Sequence, residues 1–124
     1  MSFTLDAGAL IAFERDDRAM VALVARVRER TLRMAVPAGV VGQVWRDGRM
    51  QVALARLLAS AMVEIEPLDD ARARAAGQLC GVTGTRDVID ASVVLCARRR
   101  GDGVVTSDVG ELRRLDPSLH LIPV

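Results

Sequence analysis

The sequence predicts an α/β fold in which a central, mostly parallel sheet of four to five strands lies between two helical layers. Three observations carry this reading. Short, nearly all-apolar strand segments alternate with helical patterns along the whole chain, as in sheets buried on both faces. Two of those strands run directly into an aspartate, Asp6 and Asp108. The composition, 51% hydrophobic and 27% charged over 124 residues, excludes a disordered chain and suits one domain, residues 1–124, around one core.

Residues 3–5 read as the first strand, ending at Asp6, and Ala7-Gly8 turns into a helix over 9–15. A second helix is expected over 17–30, capped by Asp16 or Asp17, with Met20, Val21, Leu23, Val24 and Val27 at helical spacing. Residues 32–36 form a second strand closed by Pro37. Helices follow over 38–46 and 49–60, separated by the turn signal Asp47-Gly48. Residues 62–66 form a third strand. Asp69 caps a helix with Ala71, Ala75, Ala76 and Leu79 on one face, and residues 81–85 read as a loop. A strongly apolar helix spans 87–100, a fourth strand 104–106, a last helix 108–115 and a final strand 119–124.

The net charge is +1, so no global field points to a polyanion. All 17 basic residues are arginine, which suits phosphate recognition but equally reflects the composition of a GC-rich genome. Cys80 and Cys96 lie within apolar helical patterns without CxxC spacing and read as core residues of a reducing, cytoplasmic compartment. No apolar stretch approaches the length of a membrane span, and no membrane partner is expected.

In a parallel sheet the ligand site lies beyond the carboxyl ends of the strands. Asp6 and Asp108 stand there, and Asp87 and Asp90 share one face of the first turn of the long apolar helix. If the first and fourth strands are neighbours, Asp6, Asp90 and Asp108 converge. Carboxylates so placed repel one another unless a cation neutralises them, and hard oxygen donors suit Mg²⁺ or Mn²⁺. Such an ion serves phosphodiester hydrolysis. Each acid also has a plainer role: Asp6, Asp87 and Asp108 as helix caps. Asp90, flanked by Ile89 and Ala91, is harder to explain without a partner. His120, the single histidine, is remote in sequence, and no phosphate-binding glycine loop is present.

The segments carrying these acids resemble the PIN domains, and within them the VapC-like toxins of type II toxin–antitoxin systems. Residues 4–12 (TLDAGALIA) are similar to the family's opening strand and first acid. Asp90-Ala91 with Ala97 is similar to its central-helix motif, and Val105-Thr106-Ser107-Asp108 to its Val-Thr-x-Asp. The resemblance spans nearly the whole chain. It implies a three-layer α/β/α sandwich and an RNA-cleaving, Mg²⁺- or Mn²⁺-dependent endoribonuclease that leaves a 5′-phosphate and a 3′-hydroxyl. A homodimer and a cognate antitoxin are implied as well. Asp6, Asp90 and Asp108 then form the metal site, assisted by Gln43 and Asp87.

Two positions depart from that pattern. Gln43 stands where the family carries a glutamate; its amide oxygen can ligate but brings no charge and no base. Asp87, or less readily Asp47 in its turn, is a candidate to restore the charge. Ala7-Gly8 replaces a polar pair after the first acid, and Thr106 is expected to hold Asp6 instead. The alternative reading is a catalytically weak or inactive PIN-like module that binds RNA or a partner. Arg46 and Arg49 flank Trp45 and are candidate RNA contacts, with Trp45 stacking on a base or lying in the core or a dimer interface. Arg86 is a candidate for steering phosphate, and Arg98, Arg99 and Arg100 read as favourable charges at a helix C-terminus. A receiver-type phosphohydrolase would need a lysine, and the chain has none.

Overall fold

The computed structural model describes residues 2–124. Its strands are β1 (Ser2–Leu5), β2 (Arg33–Pro37), β3 (Val63–Glu66), β4 (Gly103–Thr106) and β5 (Leu121–Pro123). Its helices are α1 (Ala7–Glu14), α2 (Arg18–Glu29), α3 (Ala38–Val44), α4 (Val52–Ala59), α5 (Asp70–Thr83), α6 (Val88–Arg100) and α7 (Val109–Leu115). All strand pairings are parallel and the order is β3-β2-β1-β4-β5. The chain therefore builds outward from β1 to β3, crosses back, and adds β4 on the other side of β1. That reversal makes the β1–β4 seam the switch point of the sheet, where parallel α/β folds open a crevice.

Helices α1, α2 and α4 pack as one layer, and α5, α6 and α7 as the other, with α3 reaching from α1 to α6. The core is fully buried Leu5, Leu10, Met20, Met34, Val36, Leu54, Val93, Val94, Val104 and Leu112, drawn from the sheet and both layers. Five of the seven helix starts among the described residues follow one device, α3 and α4 being the exceptions. Asp6, Asp17, Asp69, Asp87 and Asp108 each accept a hydrogen bond from the backbone N–H three residues on. α5 and α6 end on glycines in the left-handed region, Gly84 at φ 70° and Gly101 at φ 67°. No helix among the described residues is long and apolar enough to cross a membrane.

Several expectations need correction. Residues 81–83 continue α5 instead of forming a loop, because Gly84 supplies the stop. The buried stripe of α5 is Ala76 and Cys80, and Ala71 is exposed. On α2 the buried stripe is Met20, Leu23, Val24 and Val27, and Val21 turns out to solvent. α3 stops at Val44 and α4 begins only at Val52, so the intervening turn is longer than Asp47-Gly48 alone. The final strand starts at Leu121. Trp45 is not a core residue: it is 38% exposed and its ring lies against Gly48.

The arginine triplet at the end of α6 does more than complement a helix dipole. Arg98 donates to Asp116 at 2.7 Å, Arg99 to Glu66, and Arg100 to Glu64 at 2.6 Å. Arg72 lies 3.5 Å from Glu66. Ser2 and Thr4 donate to buried Asp102, Thr4 also bonds the Cys96 thiol, and that thiol donates to Glu66 at 3.1 Å. Both cysteines are free and buried.

Candidate active site

β1 delivers Asp6 to the carboxyl edge of the sheet, directly beside β4, and the Asp6 N–H donates to the Val105 carbonyl at 3.2 Å. One carboxylate oxygen accepts from Ala9 N–H at 2.9 Å, and the other accepts from the Thr106 hydroxyl. The same hydroxyl receives the Asp108 N–H at 2.8 Å, so fully buried Thr106 ties the two strand-end acids together. Asp108 caps α7 through Glu111 N–H at 3.2 Å, and Asp87 caps α6 through Asp90 N–H at 2.9 Å. The capping roles expected of Asp6, Asp87 and Asp108 are thus real, but each occupies a single carboxylate oxygen.

Asp90 differs from the other three. It sits half-buried in the first turn of α6, and among the described residues its carboxylate has no hydrogen-bond partner and no ion pair. Burial pushes its pKa up to about 7, helped by the charges of Asp87, Asp6, Asp108 and Glu111. Burial likewise raises Asp6 above the ordinary carboxylate range and Asp108 adds to this, against the hydrogen bonds from Thr106 and Ala9. A carboxyl held near neutrality inside a crevice of like charges is the signature of an incomplete electrostatic environment. Among the described residues, no three acid, histidine or cysteine side chains already stand at joint metal-ligating spacing. The acids are coupled in charge without being drawn together.

A PIN domain model matches residues 3–116. The chain belongs to the PIN domain family. Its fold is similar to chains of two DNA-bound complexes. One is VapBC2 from Rickettsia felis bound to promoter DNA, with TM-score 0.73, 14% identity, and coverage of 100% of this chain and 99% of that one. The other is DNA-bound VapBC from Salmonella typhimurium, with TM-score 0.72, 20% identity, and coverage of 99% and 98%. VapC20 of Mycobacterium tuberculosis, a Sarcin-Ricin loop cleaving toxin, aligns with TM-score 0.63 and 18% identity over 82% of this chain and 86% of its own. No protein of curated function matches the sequence.

In this PIN domain the remaining candidates divide. Gln43 lies exposed on α3, four residues after Gly39, whose absent Cβ leaves room for Ile89 beside Asp90. Gln43 and Gly39, four residues apart, fall on the same face of α3. Asp47 accepts from Arg49 N–H within its own turn and is not among the charges acting on Asp90. Arg46 is turned back onto the Gly42 and Trp45 carbonyls, and exposed Arg49 lies 3.5 Å from Asp47. Arg86 is exposed, and among the described residues it makes no ion pair. Glu111 was not anticipated from the sequence as part of the acidic site. The Asp108-x-x-Glu111 spacing of a capping box was the available signal.

Proposed function

We propose that this PIN domain is a Mg²⁺- or Mn²⁺-dependent endoribonuclease, the toxin component of a VapC-like toxin–antitoxin pair. One observation carries the reading: Asp90 is a half-buried carboxylate without a partner among the described residues, facing the charges of Asp6, Asp87 and Asp108 at the switch point of the sheet. The donor chemistry fits a small divalent cation. Every candidate ligand is a hard oxygen, and burial together with the neighbouring negative charges raises Asp6 and Asp90, a penalty that a bound cation would offset.

Asp6, Asp90 and Asp108 would hold the ion, with Gln43 and Asp87 at its margin. When bound, the ion supplies Lewis acidity toward the phosphodiester and its attacking water. The chain's own contribution is positional. Thr106 and Ala9 N–H fix the two oxygens of Asp6, and Thr106 sets Asp108 relative to it. Capping by Asp87 fixes the first turn of α6 and hence the direction of Asp90. Arg86, beside this turn and exposed, is suited to meet an incoming phosphate. RNA as substrate and an antitoxin as partner are supported by the likeness to VapC20 and to the two VapBC complexes. Exposed Trp45, Met50 and Val52 offer apolar surface for an antitoxin or for the second copy of a homodimer.

Thermal unfolding with increasing Mn²⁺ tests the metal reading directly. Stabilisation by mass action is expected for the wild type and its loss in Asp90→Asn. A flat response in the wild type would overturn the metal-dependent reading. The neutral Gln43 favours a second reading, a domain that binds RNA or a partner without efficient cleavage. Gln43→Glu separates the two. A large rise in cleavage from a near-zero wild-type rate is the mark of the binding module.

A further inference from the structure

We propose that the cleft beside the acidic crevice, between α1 and the β4–α7 turn, is the subsite for the base and ribose of the nucleotide adjoining the scissile phosphate. The proposal rests on the nuclease reading and names where that site takes its specificity. The cleft has a volume of about 500 Å³ and is lined by Gly8, Ile11, Ala12, Arg15, Asp17, Ser107 and Val124. That size lies within the ~300–1,000 Å³ typical of small-molecule sites.

Its position follows from the chain itself. Gly8 is two residues past Asp6 and Ser107 lies between Thr106 and Asp108, so the cleft is lined by chain neighbours of both strand-end acids while neither acid itself lines it. Gly8 is required for this contact: a Cβ there would stand 1.9 Å from the Ser107 hydroxyl oxygen. Ser107 is exposed, and among the described residues its hydroxyl makes no hydrogen bond. Ile11, 37% exposed, and half-buried Ala12 give an apolar floor on which a base can lie. Arg15, exposed and without an ion pair among the described residues, stands at the far end of α1. Its planar guanidinium can reach a base edge or the next phosphate. Asp17 also lines the cleft, but one of its oxygens is committed to the Met20 N–H at 3.0 Å. A polar donor near the acids, an apolar floor and a free cation beyond it match the order of groups along a nucleotide.

The test titrates the four nucleoside 5′-monophosphates, with inorganic phosphate as control, into isotope-labelled protein and follows backbone and methyl NMR signals. Signals of Gly8, Ile11, Ala12 and Ser107 should move saturably, with one base favoured and phosphate alone ineffective on Ile11 and Ala12. Arg15→Ala should weaken the effect about five-fold, as for loss of one charged contact. Ala12→Trp should abolish it by filling the floor. Arg15→Ala is a surface change, so the result survives if Ala12→Trp fails to fold. Equal perturbation by phosphate, a flat titration, or unchanged affinity in Arg15→Ala would overturn the subsite and leave the groove to a protein segment. The Mn²⁺ response of the melting temperature is read separately. A flat Mn²⁺ response with nucleotide binding intact sinks the metal-dependent nuclease reading, whereas the reverse sinks the subsite alone.

Discussion

Two groups of acids sit on this sheet and meet opposite fates. On the α6 C-terminal side, Glu64, Glu66, Asp102 and Asp116 are matched by Arg72, Arg98, Arg99 and Arg100. At the carboxyl edge, Asp6, Asp87, Asp90 and Asp108 have no arginine partner among the described residues. The titration behaviour follows. Burial works to raise Glu66, but hydrogen bonds from Cys96 and Arg99 and the charges of Arg99 and Arg72 hold it below its ordinary value. Asp116 is lowered chiefly by Ser118, with Arg98 adding to this. Asp90 is pushed the other way, to about 7. A protein that can surround acids with guanidinium groups in one place and does not in another leaves the second set free for a ligand.

The largest expected consequence separates the two groups by activity. Asp90→Asn should lower RNA cleavage by about 100-fold or more, the scale on which disturbed metal sites lose function. Glu66→Gln should leave cleavage by the folded protein unchanged. It should instead cost about 2 kcal/mol of stability, less than for a wholly buried pair because Arg99 and Arg72 are partly exposed. Cleavage assays and chemical denaturation of both variants check this. Equal loss of activity in the two would erase the distinction.

The same pair predicts opposite pH dependences without metal. Asp90 has a folded pKa raised from 3.8 to about 7, so the unfolded chain releases its proton first. Its contribution therefore falls as pH rises through that window and stays low above it. Glu66 and Asp116 have lowered folded values, so their contribution is present above the ordinary carboxylate range and is lost as pH falls through the folded value. Melting curves in EDTA should show Asp90→Asn more stable than wild type at pH 7.5 by roughly 1–2 kcal/mol, discounted for the group's partial exposure. The advantage should vanish near pH 4. An Asp90→Asn protein no more stable at pH 7.5 would mean that the Asp90 carboxylate is neither stripped of water by burial nor crowded by its neighbours.

Much of this architecture could be read from the residues. Apolar strands closed by Asp6 and Pro37, and a helix opened by Asp87, are local signals that tertiary packing reinforced. The convergence of Asp6 and Asp108 was conditional on β1 and β4 being neighbours, a long-range pairing that no local pattern encodes. The arginine network was hidden for the same reason. Arg98, Arg99 and Arg100 look like a solvated helix end until β3 brings Glu64 and Glu66 alongside. Residues 81–85 read as a loop because glycine and threonine are weak helix formers, yet α5 continues through three of them until Gly84 stops it.

Two threonines on neighbouring strands stand one in each group of acids. Thr4 and Thr106 are both fully buried, and each donates its hydroxyl to a buried carboxylate, Asp102 and Asp6 respectively. Valine replaces threonine at nearly constant shape, so Thr4→Val and Thr106→Val both remove a hydrogen bond to a charged group at about 1.5–3 kcal/mol. Calorimetric unfolding should find similar costs. Their effects on Mn²⁺ should diverge. Thr106 also accepts the Asp108 N–H at 2.8 Å, so its loss frees one oxygen of Asp6 and loosens both strand-end acids. An affinity loss of about ten-fold is expected there, as for groups that orient ligands. Thr4→Val should leave Mn²⁺ affinity at the wild-type value, because Asp102 remains near Arg100 and Ser2. If Thr4→Val weakened Mn²⁺ as much as Thr106→Val does, the two acidic groups would be one coupled system and the division between them would fail.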